Sequence, residues 1–108
     1  MNYEESLELY KNVIDSCPRF EFKGKSMPYT SANGYMFSLV NKAGEIGFRY
    51  SKKRQQEYFD RFNTSHFISY GAKMQGYILL TKEMLKNHQI MVDLLNESYD
   101  YVMSLPPK

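Results

Sequence analysis

The chain has 108 residues, enough for one hydrophobic core and not for two. Apolar residues make up 43% and charged residues 24%, which excludes a chain too polar to collapse. A formal net charge of +2 is too small to point to nucleic acid or a membrane surface, and no apolar run approaches the ~20 residues that span a bilayer.

The single cysteine, Cys17, cannot form an internal disulfide and fits a reducing compartment. The opening Met1-Asn2-Tyr3-Glu4-Glu5 is polar and acidic, unlike a signal peptide, so the chain is expected in the cytoplasm. Tyrosine is abundant, at 10 copies beside 7 Phe and no Trp. Its apolar body and polar tip suit half-buried sheet faces and binding surfaces alike.

Tyr3, Leu7, Tyr10 and Ile14 share one helical face, which predicts a helix from Tyr3 to about Cys17 that Pro18 ends. Glu4, Glu5 and Glu8 lie near its start, where carboxylates complement the dipole. Phe20 and Phe22 alternate with Glu21 and Lys23, which predicts a strand running on towards Tyr29. Asn33-Gly34 within Ser31–Gly34 marks a hairpin turn, since both residues tolerate positive φ. Tyr35 to Asn41 reads as a central strand, Lys42-Ala43-Gly44 as a turn, and Glu45 to Tyr50 as a third strand.

Ser51 is placed to cap a helix from Lys52 to Phe62. Two short strands, Phe67–Tyr70 and Gln75–Leu80, flank Gly71-Ala72-Lys73. Thr81 to Lys86 reads as a helical turn, and Asn87 caps a last helix from His88 to Ser104, stopped by Pro106-Pro107. The expected fold is a two-layer α+β domain covering residues 1–108, in the order α-β-β-β-α-β-β-α. Its antiparallel sheet carries helices packed on one side and leaves a face for solvent or a partner.

Several pieces in this order resemble a known family. They are Lys25 with Met27, Asn33-Gly34 before Met36-Phe37, Phe48-Arg49, Met74-Gln75-Gly76-Tyr77, and the ending Tyr101-Val102-Met103-Ser104-Leu105-Pro106. Together they resemble the N-terminal domain of the TfoX/Sxy competence-regulator family over nearly the whole chain. Met27-Pro28-Tyr29 stands where that family usually has Met-Phe-Gly. The resemblance implies a two-layer domain like the secretion-chaperone group. It also implies a regulatory role, without the second, helical domain that longer members carry.

The candidate site residues follow from chemistry. Arg49 lies among apolar strand residues, where it could grip a carboxylate or phosphate or pair with Asp60 or Glu57. With Tyr29, Tyr35 and Lys25 it makes the ligand- or partner-binding set. Lys52, Lys53 and Arg54 make a basic set which, with Lys23, Lys25 and the rings of Tyr29, Tyr35 and Tyr50, has the parts that single-stranded nucleic acid needs. The same residues also make an ordinary solvated basic surface.

Cys17 lies near a helix C-terminus, which disfavours a thiolate, and His88 has no carboxylate spaced to orient it. No nucleophile elbow, phosphate loop or metal-ligand spacing appears. The expectation is therefore a non-catalytic interaction domain without cofactor or metal, acting on a protein partner or a second copy. A nucleic-acid-associated regulator and a small-ligand domain or enzyme built on Arg49 are the alternatives.

Overall fold

The first helix, α1 (Tyr3–Asp15), is started by Asn2. The Asn2 side chain accepts from the Glu5 N–H while Glu5 accepts from the Asn2 N–H, which satisfies two otherwise orphan donors. The computed structural model describes residues 2–24, 27–69 and 71–108. After α1 come β1 (Tyr29–Ala32), β2 (Tyr35–Val40), β3 (Ile46–Arg49), α2 (Lys52–Phe62), β4 (His66–Ser69), β5 (Ala72–Leu79), α3 (Lys82–Leu85) and α4 (His88–Met103).

The five strands form one antiparallel sheet in the order β1-β2-β3-β5-β4. Class and element order are those expected, α-β-β-β-α-β-β-α, with the short α3 leading into the last helix. β2 and β3 are hairpin partners, with Ser38 opposite Phe48 and Val40 opposite Ile46.

One predicted element is corrected. Phe20 to Phe22 is not a strand, and among the described residues of this segment only Lys23 pairs, through an isolated bridge to Tyr29. The two rings pack on helices instead. Phe20 stacks on Tyr99 of α4 with centroids 5.2 Å apart, and the Lys11 ammonium of α1 lies 5.1 Å from the centre of the Phe22 ring. An alternating pair of aromatics is satisfied by either arrangement, and a strand also needs a neighbour for every N–H and C=O.

The larger core draws on all four helices and on the sheet. Tyr10, Val13 and Ile14 meet Tyr58, Met84, Met91 and Leu95, with Val40, Ile46, Phe48 and Ile78 from the strands. The expected face left for solvent or a partner is corrected by a second, smaller core of Leu39, Phe67 and Tyr77, with Met27, Tyr29, Met36, Met74 and Leu79 around it.

Two irregularities make this second core possible. Thr30 pairs with Ser38 and Ser31 with Met36, so Phe37 is an extra residue in β2. The bulge sends Phe37 and Val40 to the larger core and Met36 and Leu39 to the smaller one. In the last hairpin, His66 pairs with Ile78 and Ile68 with Lys73, so β5 carries three more residues than β4 over that stretch. Gly76 absorbs the bend at φ +90°. The bent hairpin folds back over the sheet until the Asn41 amide, just past β2, donates to the Ile68 carbonyl at 3.0 Å.

Candidate functional site

The bulge and the bend also shape the end of the sheet where Arg49 lies. Helix α4 fixes the backbone there. The Ser98 hydroxyl lies 2.6 Å from the Arg49 carbonyl and 3.0 Å from the Phe37 carbonyl, so one proton ties the last residue of β3 to the bulge of β2. The Tyr50 N–H then donates to the Gly76 carbonyl at 2.9 Å. The Arg49 stem lies along Gly76, where an added Cβ would stand 3.4 Å from both Cγ and Nε.

From there the guanidinium reaches the ring of Tyr35, with Cζ 5.3 Å from the ring centre. The Lys108 ammonium approaches the same ring, also at 5.3 Å. Two cations therefore share one aromatic ring, an attraction of roughly 0.5–1 kcal/mol each at exposed sites. Among the described residues, no carboxylate lies within ion-pair distance of Arg49 or Lys108. The expected pairing of Arg49 with Asp60 or Glu57 is absent among these residues, and Glu57 is instead bound by Arg54 at 2.6 Å.

The position of Lys108 follows from Asn33. In the turn between β1 and β2, Asn33 takes φ +57° and its amide donates to the Val102 and Leu105 carbonyls at 2.9 and 2.8 Å. It thereby caps the C-terminal end of α4. The Lys108 N–H donates to the Asn33 carbonyl at 3.2 Å, and the Tyr35 hydroxyl donates to the Pro106 carbonyl at 2.7 Å. Residues 105–108 are thus laid along the hairpin turn.

Of the residues singled out from sequence, the fold brings Arg49 and Tyr35 together. Tyr29 sits at the other end of the β1–β2 ladder, opposite Leu39, with its ring against Gly24 and the second core. Lys25 lies outside the described residues. Lys52 and Lys53 are exposed in the first turn of α2. Gly76 and Lys108 join them only through the fold. A glycine inside a strand pattern is the usual mark of a bend or close approach, and Gly76 was legible on that ground.

The basic set divides. Arg54 grips Glu97 of α4 in a two-pronged contact, Nε to Oε2 and Nη2 to Oε1, both at 3.0 Å. It also binds Glu57 and donates to the Tyr58 hydroxyl at 2.7 Å, while that hydroxyl donates to Glu97 at 2.5 Å. Burial first, and the bond to Glu97 second, push the Tyr58 pKa up to about 12. Tyr50 is buried, its hydroxyl donating to the Leu94 carbonyl at 2.5 Å, so its ring is closed to a base.

The candidate nucleophile is equally occupied. Cys17 is buried, its thiol donates to the Val13 carbonyl at 3.4 Å, and burial pushes its pKa up despite nearby Arg19. His88 Nε2 lies 3.0 Å from the Ser16 hydroxyl at the exposed start of α4. Among the described residues, no group of three or more His, Cys, Asp or Glu side chains is placed to hold a metal ion. No described helix is long and apolar enough to cross a membrane. Two clefts among the described residues lie away from this site. One of 600 Å³ runs between the end of α1 and Phe20–Phe22, and one of 390 Å³ lies between α1 and the start of α4.

Comparison of the chain with protein-family models, with curated proteins and with solved structures found no match.

Proposed function

We propose that this chain is a non-catalytic interaction domain that works by contact with a protein partner or a second copy of itself. The contact surface is the end of the sheet carrying Arg49, Tyr35 and Lys108. One observation carries the reading. Arg49 is held half-buried along Gly76 and over Tyr35, and no described carboxylate neutralises it. A cation pinned in place and left without a counter-charge loses little freedom when a partner supplies one.

The resemblance to TfoX/Sxy N-terminal domains supports a regulatory role for such a contact. Nucleic acid is the weaker reading. Arg54 is engaged by two carboxylates, Tyr50 is buried, and the Tyr35 ring already carries two cations.

The test combines light scattering of the purified protein with affinity capture, for wild type, Arg49→Ala and Arg49→Lys, each checked for folding by circular dichroism. The expected result is a dimer or a retained protein that is lost with Arg49→Ala. A monomer whose captured proteins are the same for wild type and Arg49→Ala would overturn the reading.

A further inference from the structure

The geometry points to a carboxylate as the group that Arg49 and Lys108 receive, presented by an acidic segment of the partner. This inference rests on the reading of the chain as an interaction domain and names the chemistry of its partner.

Single-stranded nucleic acid needs rings for bases as well as charge for phosphates. At this site the half-buried ring of Tyr35 is faced by two cations, and its hydroxyl is bonded to the Pro106 carbonyl. What is left to offer is charge and N–H donors.

The two ion-paired arginines, Arg19 and Arg54, show what this chain's guanidinium groups take when a carboxylate is in reach. Arg19 binds Asp100 at 2.7 Å, and Arg54 binds Glu97 through two parallel contacts. Arg49 has the same planar fork and no such partner among the described residues. Its stem lies along Gly76 and its guanidinium faces the Tyr35 ring, so the planar fork is positioned before the ligand arrives. Lys108 adds a second positive charge at the same ring, which suits a segment with more than one acid. Lys52 and Lys53, three and four positions along the chain, are exposed and carry the same sign of charge.

The test is a nuclear magnetic resonance titration of the labelled full chain that follows backbone amides and the arginine Nε–H signals. The probes are a blocked peptide of alternating Gly and Glu, its Gly and Gln counterpart, inorganic phosphate and an oligothymidylate strand. The Glu peptide is expected to shift the signals of Arg49, Tyr35 and Gly76, and the Gln peptide is not. Arg49→Ala should weaken Glu-peptide binding by about tenfold or more. Arg49→Lys, which keeps the charge and loses the fork, should recover only part of it. Added salt should weaken binding in wild type.

Equal shifts with both peptides would overturn the inference. So would Glu-peptide shifts that survive Arg49→Ala, or tighter binding of phosphate or oligothymidylate than of the Glu peptide at these residues. The two readings fail separately. If the Glu peptide does not bind and capture or dimerisation still depends on Arg49, only the carboxylate is wrong. If the Glu peptide binds and neither capture nor dimerisation depends on Arg49, the interaction reading is wrong.

Discussion

A Cβ atom added to Gly47 in β3 would stand 2.6 Å from the ring of Phe67 in β4, although β5 lies between the two strands. The ring reaches across β5 and rests on the one position of β3 that has no side chain. This contact holds the bent hairpin down over the second core, and Phe67 is fully buried by it.

Gly47→Ala therefore forces a buried ring off its seat. The φ of Gly47 is ordinary, so the effect is one of packing and not of backbone strain. The substitution should destabilise by about 1–3 kcal/mol, and Phe67→Ala, which leaves a cavity, by about 3–5 kcal/mol. In urea denaturation, Gly47→Ala combined with Phe67→Leu should cost less than the sum of the two, because the smaller side chain makes room for the methyl. Strict additivity would show that the two residues do not press on each other.

The tyrosines make stability depend on alkaline pH. Burial raises the pKa of Tyr10, Tyr50 and Tyr77 well above the ordinary value of 10.0, and that of Tyr58 to about 12. A group whose folded pKa is raised holds its proton longer in the folded state. Its stabilisation is complete below the unfolded pKa and is lost as pH rises through the folded one. Urea midpoints should therefore be level up to about pH 9 and fall steadily beyond pH 10. Tyr58→Phe should be less stable at pH 7, since it loses the bonds to Glu97 and Arg54, and should show a shallower alkaline decline. An alkaline slope unchanged by Tyr58→Phe would rule Tyr58 out as a contributor.

Asn33 performs two tasks that substitution separates. It adopts positive φ, and its amide caps α4. Asn33→Gly keeps the first and removes the second, which should cost about 1 kcal/mol. Asn33→Ala removes the caps and adds the left-handed penalty of a side chain, so about 1–2 kcal/mol more. Thermal melting should rank wild type above Gly and Gly above Ala. Both variants should also loosen residues 105–108, seen as faster amide exchange at Lys108, whose N–H donates to the Asn33 carbonyl.

How far the sequence carries this fold depends on whether a signal is local. The face of Tyr10 and Ile14, the Asn33-Gly34 turn, and Ser51 and Asn87 as caps are set by neighbours within one turn, and each is where the sequence predicts. The Phe20 and Phe22 alternation failed because its partners are Tyr99 and Lys11, residues far off or in another element. The bulge at Phe37 was hidden because the run Met36-Phe37-Ser38-Leu39-Val40 has too little polar alternation to reveal a change of face. At the site, Arg49 was legible as a cation among apolar residues. Its neighbours Lys108 and Gly76 come from the chain's end and from β5, and only the fold brings them near.

The three basic residues at the start of α2 provide the last prediction, because the fold gives them different work. Arg54 joins α2 to α4 through Glu97 and braces the Tyr58 hydroxyl, whereas Lys52 and Lys53 are exposed. Arg54→Ala should cost about 1–2 kcal/mol, because it strips the guanidinium from Glu97, which keeps only the Tyr58 hydroxyl, and leaves the Tyr58 oxygen without a donor. Arg54→Lys should recover little of it, since an ammonium cannot reproduce the two-pronged contact. Lys52→Ala and Lys53→Ala should each stay within about 0.5 kcal/mol of wild type. The triple replacement should therefore unfold at the same urea midpoint as Arg54→Ala alone. A triple variant far less stable than Arg54→Ala would show that the lysines carry structural load as well.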